Sequence, residues 1–520
     1  METKDPGRAG PSDLGALGDL GDAKTAAPQS DPGAGMGRKV ASGAFWVTVG
    51  SVAQQVINFG MFIYLAQALD PLTFGLMAIA MVFVESFTVF CKLGQADWLL
   101  HKTEVTDEDA STSFWLLMIS GGFGTATLFA LASPVALFFG EPEVAGVMMA
   151  MAPVCLITNL ASVQEARLRR AFRFRAVAVR AALGSVISAV AALTAMALDW
   201  GVYALVAQKF ALIAGIAAVT IALDPWRPRI AFGLSLARSS LVNGLRISSG
   251  MLTHQLTPRA VDMIVGATLG AVALGYLRIA WQLSYFVLNL FIYPVVNVAS
   301  SAFGKIKEAP EAMAKTFASM VQGVLFFLAP AAIGLMTVAP LLIPAMLGEK
   351  WEPSVTVIQF TAVTFFTEVP CYLLLGVLVG VGRSSAVLVY GLIQTALAVV
   401  VVAVAAPYGI EAVAAAYLLR CVLCAAVAFY ILNTIFPVRR ATIAWAAAPT
   451  MMAAALMGAV VWTLHLAMLD SDLDRLSRLA ILIATGGVSY AVFLGLGDLL
   501  RLWRGFLQQI LGAVRQMRRG

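Results

Sequence analysis

Charged residues are scarce in this chain of 520 residues. Only 12% are Asp, Glu, Lys or Arg, whereas 60% are hydrophobic, and the mean hydropathy is +0.86. Soluble domains carry about 25% charged residues, so a chain of this composition cannot cover a water-facing surface. The low charge content excludes a soluble globular enzyme and indicates a protein that crosses a membrane many times.

Cysteine and catalytic motifs are equally sparse. Of the five cysteines, Cys421 and Cys424 form a CxxC spacing inside an apolar stretch, which is typical of two small core residues on one helix face. The chain has no GxxxxGK[ST] loop, no HExxH and no GxSxG. No basic run is interleaved with aromatic residues, so nucleic acid is not an expected partner. The sequence therefore predicts neither enzyme activity nor a cofactor or metal.

Apolar runs of the length of a transmembrane helix, about 20 residues, follow one another along the chain. We count fourteen such runs. Basic residues concentrate in alternate loops, with Arg167–Arg175 the densest group, whereas the opposite loops hold only Lys350, Arg475 and Arg478. Because basic loops stay on the cytoplasmic side, we expect an all-α polytopic protein of the bacterial inner membrane with both termini in the cytoplasm.

Short internal repeats divide the chain into two halves. LDPLTFGLMAIA from Leu69 aligns with LGAVALGYLRIA from Leu269, and DWGVYALVAQ from Asp199 aligns with PYGIEAVAAA from Pro407. A weaker repeat pairs FFGEPEV with MLGEKWEPSV. These repeats keep their order and a nearly constant offset, which predicts two six-helix lobes of the same orientation, related by a pseudo-twofold axis along the membrane normal.

The predicted domain organisation follows from the repeat. Residues 1–37 lack the apolar core of a signal peptide and are expected to form a disordered cytoplasmic tail. The lobes are expected at 38–226 and 227–437, two extra transmembrane helices at 438–500, and a basic cytoplasmic tail at 501–520. Transporters built from repeats place the substrate path between the halves, so transport is the expected activity.

Two stretches resemble a known family. Tyr64–Trp115 contains Pro71, Phe74, Gly75, Gly94, Asp109, Ser111, Thr112, Phe114 and Trp115 at matching places, and the second stretch is RLRRAFRFRAVAV followed by DWGVYALVAQ. Both resemble Wzx-type oligosaccharide flippases, in the polysaccharide-transport branch of the multidrug/oligosaccharidyl-lipid/polysaccharide (MOP) superfamily. Gln67 and Ala68 depart from the pattern, since the family often has Arg and a bulky residue there.

The resemblance implies a V-shaped bundle that alternates between inward- and outward-open states. It also implies the substrate, a polyprenyl-pyrophosphate-linked oligosaccharide repeat unit. The family moves this unit from the cytoplasmic to the periplasmic leaflet for capsule, exopolysaccharide or O-antigen assembly. Membrane lipid and a polysaccharide polymerase or export complex are the partners that the resemblance suggests.

Charged residues inside the predicted spans are the candidates for binding, because a charge in hydrocarbon is costly and is usually functional. The seventh span is the most polar, and Gln255, Arg259 and Asp262 share one of its faces by their i, i+4, i+7 spacing. The substrate-binding candidates are Arg246, Gln255, Arg259, Asp262, Arg278, Gln55, Asn58, Lys209 and Arg420. The ion-coupling candidates are Glu85 and Glu368.

Structural roles compete with these assignments. Arg259 and Asp262 could form a neutralising salt bridge, and Arg420 could pair with Glu368 simply to stabilise the fold. Lys209, Arg278 and Arg180 could extend to the lipid headgroups. His254 could be an ordinary core residue, and the Arg167–Arg175 group could serve only as a cytoplasmic anchor touching anionic lipid.

Alternative functions also stay open. A cation-coupled exporter of drugs or metabolites from the same superfamily would be expected to have twelve spans and an acidic cavity. A lipid II-type flippase would share the fourteen spans and the cationic cavity, and a membrane scaffold would need no cavity. The mostly basic embedded residues and the Tyr64–Trp115 pattern favour the oligosaccharide flippase.

Overall fold

The computed structural model describes residue 50, residues 52–437 and residues 440–499. Within these residues the regular elements are helices and no β-strand occurs. The prediction of an all-α protein is confirmed. The two predicted tails, 1–37 and 501–520, lie outside the described residues.

The first half of the chain begins with α1 (52–68) and continues through eight further helices. Helices α5, α6 and α7 follow one another with only short turns between them. Pro153, which lacks a backbone N–H, lies at the turn between α5 and α6. The helices are α2 (Pro71–Cys91), α3 (Gln95–His101), α4 (Asp107–Phe139), α5 (Glu143–Met151), α6 (Val154–Leu160), α7 (Ser162–Arg170), α8 (Phe174–Ala197) and α9 (Val202–Leu223).

The second half begins with α10 (Leu234–Phe291), which contains a sharp break at Gly270. Its φ of 82° and ψ of 178° are essentially restricted to glycine, so α10 consists of two legs, α10a before Gly270 and α10b after it. The remaining helices are α11 (Tyr293–Lys305), α12 (Pro310–Leu347), α13 (Ser354–Gly380), α14 (Ser384–Ala405), α15 (Ile410–Asn433), α16 (Arg440–Ala467) and α17 (Arg475–Leu499).

The described residues contain twelve candidate membrane crossings. In the described ranges, 12 helical segments are long and apolar enough to span a membrane. One of them, Gln255–Phe291, contains the Gly270 break and so runs over both legs of α10. The described part of α1 is shorter than these segments. The count of fourteen stays a prediction.

Glycines mark the repeat in three dimensions. Gly140 and Gly348 follow α4 and α12 with φ values of 71° and 99°, and Gly201 and Gly409 precede α9 and α15 with φ values of 55° and 102°. Side chains with a Cβ rarely adopt these positive φ values. The sequence repeats therefore fall at matching turns of the two halves.

The two halves approach each other closely where Gly75 of α2 meets Gly275 of α10b. A Cβ on Gly75 would overlap the backbone of Ala271, and a Cβ on Gly275 would overlap the backbone of Pro71. The repeat aligns Gly75 with Gly275 and Pro71 with Ala271. This contact is therefore reciprocal, as a pseudo-twofold axis between α2 and α10b requires.

A second contact closes the same end of the bundle. The Trp351 side chain is fully buried and its Nε1 donates to the carbonyl of Ala66 at 2.8 Å, while Lys350 Nζ donates to the carbonyl of Gln67 at 2.7 Å. Gln67 Nε2 donates in return to the carbonyl of Met346 at 2.8 Å. The two carbonyls belong to the last turn of α1, where helical partners are missing. We call this contact the Trp351 latch.

Helices α16 and α17 add a layer on α12 outside the repeat. They form their own apolar cluster with α12, and Tyr490 Oη donates to the carbonyl of Phe326 at 2.8 Å. On the outer surface of the bundle, large apolar side chains such as Phe123 and Leu137 are 70% and 82% exposed. Such a surface suits lipid rather than water.

The contact between Gly75 and Gly275 predicts that adding a methyl group at Gly75 destabilises the protein. Gly75→Ala is expected to lower the melting temperature of the purified protein, because over-packing typically costs about 1–3 kcal/mol and here the neighbour is rigid backbone. Gly122→Ala in α4 is the matched control, since its Cβ would meet open space. Equal melting temperatures for the two variants would contradict the close approach of α2 and α10b.

Candidate functional site

A cavity of about 540 Å³ lies between the two halves. Residues from α2, α9, α10, α13 and α15 line it, among them Glu85, Lys209, Gln255, Arg259, Trp281, Glu368, Tyr417 and Arg420. A second cavity of about 250 Å³ adjoins it and shares Glu85, Lys209, Trp281 and Tyr285 with the first. The chain thus forms two adjoining cavities that share charged and aromatic side chains.

An ionic network crosses the boundary between the chambers. Glu85 lies 3.4 Å from Lys209 Nζ and also contacts the guanidinium of Arg259. Arg259 and Arg278 each lie 3.3 Å from Oδ2 of Asp262. These five residues come from α2, α9, α10a and α10b, so the network joins the two halves of the chain.

The network carries a surplus of positive charge. Three cations, Lys209, Arg259 and Arg278, face two carboxylates, Glu85 and Asp262, which leaves a net charge of +1. The Asp262 side chain is only 1% exposed and lies behind the two arginines, whereas that of Lys209 is 39% exposed. A buried charge is tolerated only with a partner, so Asp262 fixes the arginines while the exposed cations stay available to an anion.

A smaller cluster surrounds Arg420 in the second half. Its Nη2 lies 3.7 Å from Glu368 Oε1, and its guanidinium lies 4.3 Å from the ring centre of Tyr417. The ring of Tyr417 in turn meets Trp281 edge-on at 4.5 Å. Arg420 therefore has the structural pairing considered from sequence, and it also lines the cavity.

The other candidates are placed differently. Gln255 lines the larger cavity and Asn58 the smaller one. Gln55 is half-buried on α1 and is not among the residues lining either cavity. The side chains of Arg246 and His254 lie outside the part of the structure that is described, so their roles stay predictions.

The interpretation of Arg180, Lys209 and Arg278 as side chains that extend to the headgroups is wrong. Arg180 is 7% exposed and its Nη2 lies 2.5 Å from Glu165. Lys209 and Arg278 have internal carboxylate partners and line the smaller cavity. The physical reason is that each cation finds an acid on another helix, which the sequence alone does not place.

The basic group Arg167–Arg175 also has internal contacts. Arg170 donates to the carbonyls of Leu99 at 2.8 Å and Lys102 at 2.5 Å, which stabilises the end of α3. Arg167 Nε donates to Asp224 at 2.8 Å. These arginines therefore hold loops at their end of the bundle, which we call the arginine end, in addition to any contact with lipid.

Several residues of the Tyr64–Trp115 pattern hold the connection between the two halves. Ser111 Oγ accepts from the backbone N–H of Arg229 at 3.0 Å, and Thr112 Oγ1 accepts from that of Gly233 at 3.3 Å. Trp115 Nε1 donates to the carbonyl of Arg229 at 3.0 Å. These three side chains thus fix the segment between α9 and α10 and do not line the cavity.

Sequence reasoning missed the aromatic part of the site. Trp281, Tyr285 and Tyr417 all line the larger cavity, but a search for charges in apolar runs passes over aromatic residues. The repeat could have found two of them, because it aligns Tyr285 with Glu85 and Tyr417 with Lys209. The positions that carry the Glu85–Lys209 ion pair in the first half therefore correspond to two cavity-lining tyrosines in the second half.

Residues 64–356 match the family model described as "Polysaccharide biosynthesis protein". The chain belongs to this family. Its relatives include the succinoglycan biosynthesis transport protein ExoT of Rhizobium meliloti, 24% identical over 64% of this chain and 67% of ExoT. The lipopolysaccharide biosynthesis protein WzxC of Escherichia coli is 20% identical over 62% of this chain and 66% of WzxC. The resemblance stated from sequence is thereby confirmed.

Solved structures of other transport proteins show the same fold. The lipid II flippase MurJ in an inward closed conformation superposes with a TM-score of 0.65 at 13% identity, covering 87% of this chain and 99% of that structure. An inward-facing multidrug resistance MATE transporter gives 0.63 at 14% identity, covering 73% and 94%. At such low sequence identity, this structural likeness establishes only the fold of the present chain.

Proposed function

We propose that this protein is a flippase for polyprenyl-pyrophosphate-linked oligosaccharide repeat units. It moves them from the cytoplasmic to the periplasmic leaflet of the inner membrane, for exopolysaccharide, capsule or O-antigen synthesis. The observation that carries the proposal is the ionic network of Glu85, Lys209, Arg259, Asp262 and Arg278, which has excess positive charge and faces a cavity between the two halves. The family's link to polysaccharide biosynthesis supports the substrate class.

The proposed substrate combines a polyprenyl tail, a pyrophosphate and an oligosaccharide, and the first two can be matched to parts of this protein. The polyprenyl tail stays in lipid, against the exposed apolar surface. The pyrophosphate needs cations that form charge-assisted hydrogen bonds, for which guanidinium groups are well suited. Lys209 and Arg259 meet this need at the cavity, and the anion would compete with Glu85 for both of them.

Glu85 is the first candidate for ion coupling. Its carboxylate touches Lys209 and Arg259 in this structure. When a pyrophosphate takes over those cations, the carboxylate loses its partners in a poorly solvated site, which favours its protonation. Substrate binding and proton uptake are linked in this scheme. Glu368 is the second candidate, because its ion pair with Arg420 lies at the cavity wall.

Transport requires the cavity to open alternately to each side. The Trp351 latch and the Gly75–Gly275 contact close the end opposite the arginines. We assign the arginine end and both termini to the cytoplasm, on the basis of the distribution of basic residues among the loops. Rocking of the first six spans against the next six would break the latch and open the cavity to the periplasm, where a polymerase or export complex would receive the repeat unit.

A lipid II-type flippase is the second candidate function. The fold shared with the lipid II flippase MurJ over 87% of this chain is compatible with it, and lipid II also combines a pyrophosphate with sugars on a polyprenyl carrier. Because the fold is shared, the choice depends on which lipid-linked intermediate the cell accumulates.

Depletion of the protein distinguishes the two. Polyprenyl-pyrophosphate-linked oligosaccharides are expected to accumulate in the cytoplasmic leaflet while surface polysaccharide disappears, since synthesis continues and flipping stops. Lipid extraction with mass spectrometry and a surface carbohydrate assay measure both quantities. Accumulation of lipid II with unchanged surface polysaccharide would instead establish the second candidate, and no change in either would remove both.

The cations at the cavity are expected to be needed for transport. Arg259→Gln and Lys209→Gln should each lower the transport rate by roughly tenfold or more, because a hydrogen bond to a charged group is worth about 1.5–3 kcal/mol. Complementation of the depleted strain and protein levels in the membrane are measured together. Arg475→Gln is the control, since Arg475 forms an exposed ion pair with Glu349 away from the cavity. Full transport by both cavity variants would refute this assignment.

Removal of the Glu85 carboxylate should uncouple transport from the proton gradient. In proteoliposomes, the wild-type rate is expected to change when a pH gradient is imposed, whereas that of Glu85→Gln is expected to stay constant. Glu349→Gln serves as the control, because Glu349 is exposed and lies outside the cavity. An unaltered gradient dependence in Glu85→Gln would exclude this carboxylate as the coupling group.

A further inference from the structure

The two walls of the larger cavity differ in chemistry although the repeat relates them. Counting from the paired glycines Gly75 and Gly275, the repeat aligns Met81 with Trp281 and Glu85 with Tyr285; counting from Gly201 and Gly409, it aligns Lys209 with Tyr417. All six aligned side chains line the larger cavity, so the comparison concerns one chamber. At these aligned positions the first half presents the Glu85–Lys209 ion pair, whereas the second half presents aromatic rings.

The aromatic wall is a continuous surface of packed side chains. Trp281 lies edge-on to Tyr417 with ring centres 4.5 Å apart and is 6.3 Å from Tyr285. Arg420 covers the other side of Tyr417 at 4.3 Å. Because Trp281 is also shared with the smaller chamber, this wall extends along both chambers.

The aromatic wall also contains hydrogen-bond donors that lack partners. Trp281 Nε1 and Ser284 Oγ are buried side-chain atoms without a hydrogen bond to any residue that the structure describes. The two residues are 7% and 3% exposed, and both line the larger cavity. An unpaired buried polar group costs about 1–3 kcal/mol, so these donors indicate a ligand that brings its own oxygen atoms.

A pyranose ring is the ligand that fits an aromatic surface with hydrogen-bond donors beside it. Its C–H faces can pack on aromatic rings, and its hydroxyl and ring oxygens can accept from the indole N–H and the serine hydroxyl. A pyrophosphate would instead bind the cations Lys209 and Arg259. We propose that Trp281, Ser284, Tyr285 and Tyr417 form a sugar subsite, which binds the sugar attached to the pyrophosphate of the lipid-linked substrate. This proposal rests on the flippase function proposed above.

A binding experiment separates the two walls. The full-length protein in nanodiscs is titrated with polyprenyl pyrophosphate and with the same lipid carrying glucose, galactose or N-acetylglucosamine. At least one sugar should increase the affinity of the wild-type protein by roughly tenfold, the sum expected from one aromatic contact and one hydrogen bond. Trp281→Leu and the milder Ser284→Ala should each reduce this sugar advantage severalfold.

Two further variants make the result specific. Lys209→Gln should weaken binding of all four lipids by a similar factor and leave the sugar advantage intact. Trp462→Leu, which removes a tryptophan 45% exposed on α16, should change nothing. If Trp281→Leu and Ser284→Ala keep the full sugar advantage, or if no sugar improves binding to the wild-type protein, the subsite is refuted while the flippase function stands. If the wild-type protein binds none of the four lipids, the proposed function fails, and the subsite with it.

Discussion

The ion pairs of Glu85 connect the halves of this protein at the position where a transporter must open. A carboxylate inside an apolar bundle requires a cation, and Glu85 finds two, Lys209 on α9 and Arg259 on α10a. Because Glu85 lines the cavity, the cations that neutralise it, Lys209 and Arg259, lie at the cavity as well. The same contacts that stabilise these buried charges also keep the cations close to where an anion can reach them.

Close backbone contact serves a different purpose at the end of the bundle. Gly75 and Gly275 allow α2 and α10b to touch, and the Trp351 latch uses carbonyl groups that the end of α1 leaves unpaired. Neither contact contains a buried ion pair. Such contacts can separate with a smaller electrostatic cost than the Glu85 network, which suits an end that must open.

The sequence predicted the helical bundle well because its signals are local. Long apolar runs, glycines at turns and the repeat from Leu69 to Leu269 need no knowledge of distant contacts. The prediction was weaker for single side chains. Arg180 was a candidate for extending to the lipid headgroups, yet it is buried against Glu165. The Ser111–Trp115 pattern proved to hold the connection before α10.

The sequence by itself determined that the chain is an apolar helical protein with a repeat and with a few charges placed inside its spans. Only the tertiary structure decided that Glu85 meets Lys209 and Arg259. Lys209 and Glu85 are far apart in the chain, and no spacing rule relates α2 to α9 or to α10a. The aromatic wall of Trp281 and Tyr417 depended on packing in the same way, because a ring lines a cavity only where neighbouring helices leave space beside it.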